Sequence, residues 1–219
     1  MHIPDGFLDT KTWAGLGVVS AATVAYAVRR TGRSLKEKQV PVLGVMSAFI
    51  FAAQMLNFPV VAGTSGHLLG GVLAAVLLGP WAGTLAMSTI LIVQAFFFHD
   101  GGITALGANI FNMAVIGTLG SYYLARGLQF LFRRWSVTIA IAAWVSVVVD
   151  SAAAALELAF SGTSPLVVVL PAMVGIHALI GLGEAAITVS MLGLIRAARP
   201  DLLPAWLGEG TLVTRGNQS

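Results

Sequence analysis

The sequence predicts an all-α integral membrane protein that crosses the bilayer several times. Hydrophobic residues make up 57% of the chain and charged residues only 10%, whereas a soluble domain carries about 25% charged residues. The mean hydropathy of +0.88 and the repeated apolar runs, broken by glycine, proline or charge, indicate the same class. With 25 glycines, we expect helices that pack closely through small residues. The absence of cysteine excludes disulfides and thiolate metal sites.

Seven apolar runs are interpreted as spans of a single membrane domain. Their approximate bounds are 13–28, 42–58, 67–78, 81–98, 104–124, 137–160 and 166–195. We expect residues 1–10 to form a loop before a bundle of about 12–196, and residues 197–219 to form a cytoplasmic tail. The third run is too short to cross about 30 Å of hydrocarbon at about 1.5 Å per residue. The polar loop before it is therefore expected to dip into the bundle from outside, since such backbone is tolerated only inside protein or beside a cavity.

The basic residues predict the orientation of the bundle. If the N-terminus lies outside, ten of the twelve Lys and Arg residues fall in cytoplasmic connections or just after the seventh span. Lys11 alone remains outside, and Arg215 belongs to the tail. A six-span alternative places one group of arginines on the wrong side, so the positive-inside bias favours seven spans. Because the basic residues form short clusters rather than a broad patch, we expect membrane lipid and no nucleic acid as a partner.

The first seven residues, MHIPDGF, have the chemistry of a compact metal chelator. The terminal amine, the His2 backbone nitrogen and the His2 imidazole can close two fused rings on one metal ion. Nitrogen donors in one plane suit Ni(II) or Cu(II), whereas Zn(II) prefers a tetrahedron. Met1 should be retained because His2 is large, and Pro4 offers no further amide nitrogen. The alternative is an ordinary start followed by a histidine without a role.

His67 follows the small polar loop AGTSG, on the same predicted side as His2. As a fourth nitrogen it would complete a square with Met1 and His2, while Thr64 and Ser65 would orient the ligands by hydrogen bonds. The alternatives are an interfacial histidine that opens and caps the third helix, and an N-cap formed by Ser65.

Other polar residues admit two roles each. The turn that contains His99 and Asp100 is either simply solvated or a point of first contact for a cation. Ionisable residues inside a membrane suggest function, with polar pairing between helices as the alternative. Those in the sixth and seventh predicted spans are Asp150, Glu157, His177 and Glu184. The asparagines of the fifth span, Asn109 and Asn112, are interpreted as contacts between helices or as loop anchors.

Several signals of catalysis are absent from the sequence. It contains no HExxH motif, and the glycine-containing loop before His67 lacks the Gly-Lys-Ser/Thr ending of a phosphate loop. We also find no constellation of nucleophile and base, so an enzyme is disfavoured. Without a nucleotide site the chain cannot energise transport by ATP itself, and a partner would have to do so.

Four stretches together resemble the substrate-binding membrane subunits of energy-coupling-factor (ECF) transporters for nickel and cobalt, the NikM/CbiM family. They are MHIPDGF at Met1, GTSGHLLGG at Gly63, LGPWAGT at Leu78 and DGGITALGAN at Asp100. The second half of the chain matches mainly in its hydrophobic layout.

The resemblance implies a near-square-planar site on an N-terminal loop inserted into the bundle from outside. Its ligands would be the nitrogens of Met1, His2 and His67. Asp5 and Asn109 lie within the matching stretches and are interpreted as residues that anchor the loop or orient the ligands. Because the His2 amide would have to lose its proton to bind the metal, capture should weaken in acid.

The resemblance further implies the substrate-specific component of an importer in the cytoplasmic membrane, capturing divalent nickel for ATP-driven uptake. Its partners would be a transmembrane coupling (T) subunit, cytoplasmic ATPase subunits and, in many systems, a small accessory membrane subunit that is here a separate chain. The Pro4-Asp5 pair and the loop before His67 resemble the nickel branch, and four in-plane nitrogens favour Ni(II). Cobalt is the alternative substrate.

A proton-coupled secondary transporter or channel is the alternative from another class. It would use Asp150, Glu157 and Glu184 to couple metal uptake to a proton gradient. Such a protein would take up metal by itself in proteoliposomes and would be indifferent to ATPase partners.

Overall fold

The computed structural model describes residues 1–34, 40–56, 58–59 and 65–208. These residues form helices and one antiparallel pair of two-residue strands, β1 (Phe58–Pro59) and β2 (Ser65–Gly66). The α-helices are α1 (Thr10–Ser34), α2 (Val40–Gln54), α3 (Gly71–Leu78), α4 (Pro80–Val93), α5 (Leu106–Ile110), α6 (Ser121–Phe132), α7 (Trp135–Phe160), α8 (Leu166–Ala198) and α9 (Ala205–Gly208).

Two π-helical segments lengthen these helices. The segment Gln94–Phe98 continues α4, and the segment Phe111–Gly120 joins α5 to α6 into one rod. A short 3₁₀ turn, Pro200–Leu202, precedes α9. Because π-helical turns are rare and occur frequently at functional sites, the two segments mark regions where the side-chain register departs from an ordinary helix.

Each predicted span corresponds to a helix or to a rod of joined helices. Three of these are long and apolar enough to cross a membrane, namely Pro80–Phe98, Trp135–Phe160 and Leu166–Ala198. The apolar helix α2 is shorter. These lengths and compositions agree with the prediction of a helical membrane protein that crosses the bilayer more than once.

Several helices extend beyond the predicted apolar spans. α1, α7 and α8 are all longer than their apolar runs, and the rod that ends with α6 continues to Phe132, beyond Arg126. An apolar run marks only the hydrophobic part of a helix, whereas polar turns at its ends continue the same hydrogen-bonding pattern. α2 and α3 are instead shorter than their predicted runs, since α2 ends at Gln54 rather than near Phe58 and α3 begins only at Gly71.

The third helix begins at Gly71 rather than at His67, so the expectation that His67 opens and caps this helix is wrong. Gly70 separates the two with φ of 72°, a left-handed conformation that glycine adopts without a steric cost. A Cβ at Gly70 would also lie 2.9 Å from a side-chain carbon of Ile50. His67 therefore lies on a loop whose direction differs from that of α3.

α3 occupies the interior of the bundle, and all eight of its residues are buried. It packs against α4 and the Phe111–Gly120 segment, and Gly71 lies so close to the Gly117 carbonyl that no Cβ would fit. His67 and Leu69, just before α3, are also buried. The part of the connection that directly precedes α3 thus lies inside the protein.

The N-terminal segment, Met1–Phe7, also enters this interior. Met1 and Ile3 are both 0% exposed. Met1 belongs to an apolar cluster with Leu69 and Met87, and Ile3 belongs to one with Leu158. The fold therefore brings the chain terminus and the loop before α3 into one buried layer.

Candidate metal-binding site

The backbone of the N-terminal segment is fixed by hydrogen bonds to Asn109 and Gly102. The Asn109 side chain accepts from the Ile3 N–H at 2.8 Å and donates to the Ile3 carbonyl at 3.1 Å. The Gly102 N–H donates to the same carbonyl at 2.9 Å. Buried peptide groups require such partners, so Asn109 acts on the inserted segment much as a neighbouring strand would.

Asp5 forms a second anchor near the surface. Its carboxylate accepts from the N–H groups of Ile103 and Thr104 at 3.1 and 2.7 Å and from the Thr104 hydroxyl. The hydrogen bond from the Thr104 side chain is the main reason that the pKa of Asp5 lies below its usual range. A Cβ at Gly102 would overlap Asp5 and Pro4, so this glycine permits the close approach of the two chains.

A chain of side-chain amides determines the tautomer of His2. The Leu69 carbonyl can only accept, and it receives the Gln54 Nε2 at 2.7 Å. The Gln54 Oε1 must then accept from Gln94 Nε2 at 3.0 Å, which turns the Gln94 Oε1 towards His2. His2 Nε2 lies 3.1 Å from that oxygen and is assigned as the protonated nitrogen. The lone pair of His2 is therefore on Nδ1.

His2 Nδ1 lies 3.4 Å from Oδ1 of Asp100, which is 14% exposed. Burial, and next the charge of the N-terminus, lower the pKa of His2 to about 3. The ring is therefore neutral, and two lone-pair atoms face each other without a proton between them. Such a pair repels unless a cation lies close by, so Asp100 belongs to the neighbourhood of the candidate site.

His67 presents a second buried lone pair. Its Nδ1 donates to the Leu68 carbonyl at 2.7 Å, which leaves Nε2 as the basic nitrogen. That nitrogen is buried and accepts no hydrogen bond from the residues that the structure describes. The rings of His67 and His2 lie 4.6 Å apart between centroids. Burial, followed by the charge of the N-terminus, keeps the pKa of His67 well below its usual value.

The terminal amine of Met1 completes the set of nitrogens. Burial lowers its pKa to about 5, against the opposing effects of the Asp150 and Asp100 carboxylates. At neutral pH the amine is thus largely unprotonated. The site brings together a neutral amine, two neutral imidazoles and the His2 amide, which is a donor set that suits a divalent transition metal.

The loop that carries His67 is tied to α8. Both oxygens of the Glu184 carboxylate accept backbone hydrogen bonds, from Leu69 N at 2.8 Å and from Gly70 N at 2.7 Å. The sequence had left the role of Glu184 open between pairing of helices and function. Its observed contact holds the loop two residues beyond His67 in place.

The remaining ionisable residues have different surroundings. Glu157 accepts from Asn112 at 2.9 Å, a contact between helical rods. His177 donates within its own helix to the Met173 carbonyl at 2.7 Å. Its charge is the smallest of the effects that lower the pKa of His67. Asp150 is 0% exposed, and neither of its oxygens accepts a hydrogen bond from a described residue.

Some predicted site residues are not assembled here. Thr64 lies outside the described residues, and of Ser65 the structure describes only the backbone of β2. His99 is exposed, with a left-handed φ of 54° at the end of the Gln94–Phe98 segment. Its ring therefore does not belong to the buried group, although its half-buried neighbour Asp100 lies beside His2.

Gln94 and Gln54 are the residues that the sequence interpretation missed. Both are 0% exposed, and together they link His2 to the backbone beside His67. The available signal was an uncharged amide in each of two strongly apolar runs, at a depth where polar groups need partners. Among the described residues no cluster of three His, Asp or Glu side chains suitable for a metal occurs. Metal binding at this site would therefore use main-chain nitrogens in addition to the two imidazoles.

Comparisons with known proteins identify a family and relatives that are named for metal transport. A model of the family described as the cobalt uptake substrate-specific transmembrane region matches residues 2–202. The chain is 42% identical over 214 residues to a putative fused nickel transport protein NikMN of Archaeoglobus fulgidus, covering 97% of this chain and 71% of the relative. It is 33% identical over 230 residues to the cobalt transport protein CbiM 2 of Pelobacter propionicus, covering 99% and 97%.

A solved structure shares the fold. The crystal structure of a truncated transition metal transporter superposes with a TM-score of 0.85 at 34% identity, over 90% of this chain and 99% of that chain.

Proposed function

The chain belongs to the family of cobalt uptake substrate-specific transmembrane regions, and from this premise we propose that it captures divalent nickel outside the cell as the substrate-specific component of an ECF-type importer. One observation carries the proposal. Two buried imidazole lone pairs, on His2 Nδ1 and His67 Nε2, lie beside a buried, neutral chain terminus.

The proposed ligands are the Met1 amine, the His2 amide, His2 Nδ1 and His67 Nε2. The first three close a five-membered and a six-membered ring on one ion, and the tautomer inferred for His2 leaves free the nitrogen that this geometry needs. Four nitrogens in a plane favour Ni(II) over Zn(II). Cu(II) would bind at least as tightly by the general affinity order, so selectivity for nickel would depend on supply or on the rigidity of the cavity.

Charge balance supports a role for Asp150. A divalent ion bound to one deprotonated amide keeps a single positive charge, which is costly to bury without a counter-charge. Asp150 is buried, its oxygens accept no hydrogen bond within the described residues, and its charge acts on the Met1 amine more strongly than that of Asp100. We assign the Asp150 carboxylate as the counter-charge of the bound ion.

The proposed orientation has seven membrane spans with the N-terminus outside. The positive-inside bias supports it, as do the seven helices or rods at the predicted positions. In this orientation the inserted N-terminal segment lies on the side from which nickel arrives, while α8 ends in the cytoplasm.

Partner subunits would supply the energy. We propose a transmembrane coupling subunit and cytoplasmic ATPases, because the sequence contains no phosphate-loop motif for ATP. The relative from Archaeoglobus fulgidus is named as a fused protein, and this chain covers 71% of its length. We also propose a small accessory membrane subunit as a further partner.

Cobalt is the second candidate substrate. The family description and the name of the Pelobacter propionicus relative both refer to cobalt, and Co(II) can occupy the same nitrogens. A titration of the purified protein with each ion, alone and in competition, decides between them, and the proposal requires nickel to be held more tightly.

The ligand assignment is tested with two histidine variants. His67→Ala removes the fourth nitrogen and should lower nickel affinity at least a hundredfold, measured by calorimetry on purified protein. His99→Ala is the matched control, because His99 is an exposed histidine outside the buried group, and it should keep wild-type affinity. Wild-type affinity in His67→Ala would disprove the assigned site.

A further inference from the structure

An arginine-rich cleft lies at the end of the bundle opposite to the metal-binding site. The N-terminal segment lies near the end of α7 at Phe160. Just beyond that end, the Thr163 hydroxyl donates a hydrogen bond to the Phe7 carbonyl. The cleft lies near the other end, at Trp135. The 26 residues of α7 separate the two ends by about 39 Å at about 1.5 Å per residue.

Two adjoining cavities make up this arginine cleft. The first has a volume of about 460 Å³ and is lined by Arg126, Gln129, Phe130, Arg133 and Trp206. The second, of about 360 Å³, shares Gln129 and Arg133 and is bordered by further basic and aromatic residues, namely Arg134, Trp135 and Arg196. A tight turn presents Arg133 between α6 and α7, with φ of 54°.

The cleft carries an excess of positive charge. None of its lining residues is acidic, and the ion pairs found among the described residues include none of Arg126, Arg133 and Arg134. Among the described residues, the acid nearest in sequence to α9 is Asp201, and it binds Arg199 at 2.8 Å instead. Guanidinium groups match phosphate oxygens in geometry, so an anionic ligand with a phosphate fits this surface.

Two buried polar atoms in the cleft indicate which hydrogen-bonding groups the ligand carries. Gln129 is 8% exposed, and its Oε1 accepts no hydrogen bond from a described residue. The buried Trp206 Nε1 likewise donates to no described residue. A ligand that satisfies both must offer an acceptor to the indole and a donor to the amide. A phosphodiester that also bears hydroxyl groups meets both needs.

Apolar side chains beside the cleft indicate where the rest of the ligand lies. Phe130 is 82% exposed, Leu131 71% and Phe132 43%. These residues end α6 next to the arginines, so charged and apolar surfaces meet at one edge. Acyl chains can cover the apolar residues while the head group occupies the cleft.

We propose that the arginine cleft binds the head group of an anionic phospholipid of the phosphatidylglycerol type. In the proposed orientation the cleft faces the cytoplasmic leaflet, where anionic head groups attract basic residues. The lipid would connect the end of α6 with α9, which carries Trp206. This site is independent of the metal ligands.

The test uses the purified full-length protein and native mass spectrometry with phosphatidylglycerol or phosphatidylcholine of the same acyl chains. Wild-type protein should retain phosphatidylglycerol preferentially. The double variant Arg126→Gln/Arg133→Gln should bind it about 25-fold more weakly, since each basic residue near an anionic surface contributes a factor of roughly five. Its nickel affinity should not change, which separates this proposal from the one on transport.

Arg29→Gln/Arg33→Gln is the matched control, because it removes two exposed arginines of α1 that do not line the cleft. It should keep the lipid. Equal loss of lipid in both double variants would reduce the effect to general charge and overturn the proposal. If soluble glycerophosphoglycerol bound with the same affinity as phosphatidylglycerol, the cleft would be a site for a free phosphodiester. If the cleft variant kept the lipid but no longer assembled with its partners, the cleft would be a protein interface. Either result overturns the proposal.

Discussion

The two ends of the described chain differ in how their polar groups are satisfied. In the N-terminal segment, Ile3 and Asp5 bond to residues about a hundred positions away, including Asn109 and Thr104. In the C-terminal segment, Arg199–Gly208, Arg199 bonds instead to Asp201, two residues along, and both side chains are about 60% exposed. The hydrogen bonds of the first end reach the interior of the bundle, whereas the Arg199–Asp201 pair lies at the surface and is local. An end whose polar groups are satisfied in the interior can hold a buried ligand.

The largest effect should come from lengthening one end or the other. One extra residue before Met1 removes the primary amine as a chelating group and has no space, since Met1 is 0% exposed. We expect nickel affinity to fall at least a thousandfold in calorimetry. The same residue added after Ser219 should leave affinity unchanged. Equal affinity of the two extended proteins would show that the terminal amine is not a ligand.

Asp150→Asn is the next test of the buried end, because it removes the proposed counter-charge while preserving shape. Nickel affinity should fall on the order of ten- to a hundredfold, the range expected for residues that support metal ligands. The metal-free protein should melt at the same temperature or higher, since an uncompensated buried charge is lost. A lower melting temperature with unchanged affinity would mean that Asp150 serves packing alone.

Gln94→Leu breaks the amide chain that orients His2. The His2 Nε2–H loses its acceptor, so the other tautomer and ring position become accessible and affinity should fall about tenfold. Gln94→Glu retains the acceptor for His2 Nε2–H but cannot donate to Gln54 Oε1, so it should recover part of the binding. If calorimetry shows equal losses in both variants, the effect of Gln94 is unrelated to the tautomer.

The smallest effect should come from the exposed end. Asp201→Asn breaks the ion pair with Arg199, but exposed pairs contribute little because water screens them. Neither nickel affinity nor the melting temperature in detergent should change measurably. A clear loss of stability would show that the C-terminal segment is held as firmly as the N-terminal one.

The parts of this account that are local in sequence were predictable. Apolar runs located the helices because hydropathy is a local property, and the chelating order of amine, amide and imidazole lies within Met1 and His2. The proximity of His67 to His2 was also predictable, because the predicted topology placed the His67 loop and the N-terminus on the same side of the membrane.

The parts that depend on three-dimensional packing were not predictable. A single glutamine such as Gln94 leaves no periodic pattern, and its direction depends on the π-helical turn that it begins. The contact of Glu184 with the loop at Leu69 joins residues 115 positions apart. The start of α3 at Gly71 depends on the left-handed conformation of Gly70, which the sequence Leu-Leu-Gly-Gly does not reveal.

The most direct test of the central claim is X-ray absorption spectroscopy of the nickel-loaded protein. The account predicts four nitrogen ligands in a square plane, with the two imidazoles of His2 and His67 visible in the outer-shell scattering. In His67→Ala the spectrum should retain one imidazole. A six-coordinate, oxygen-rich nickel in the wild-type protein would contradict the buried N-terminal site.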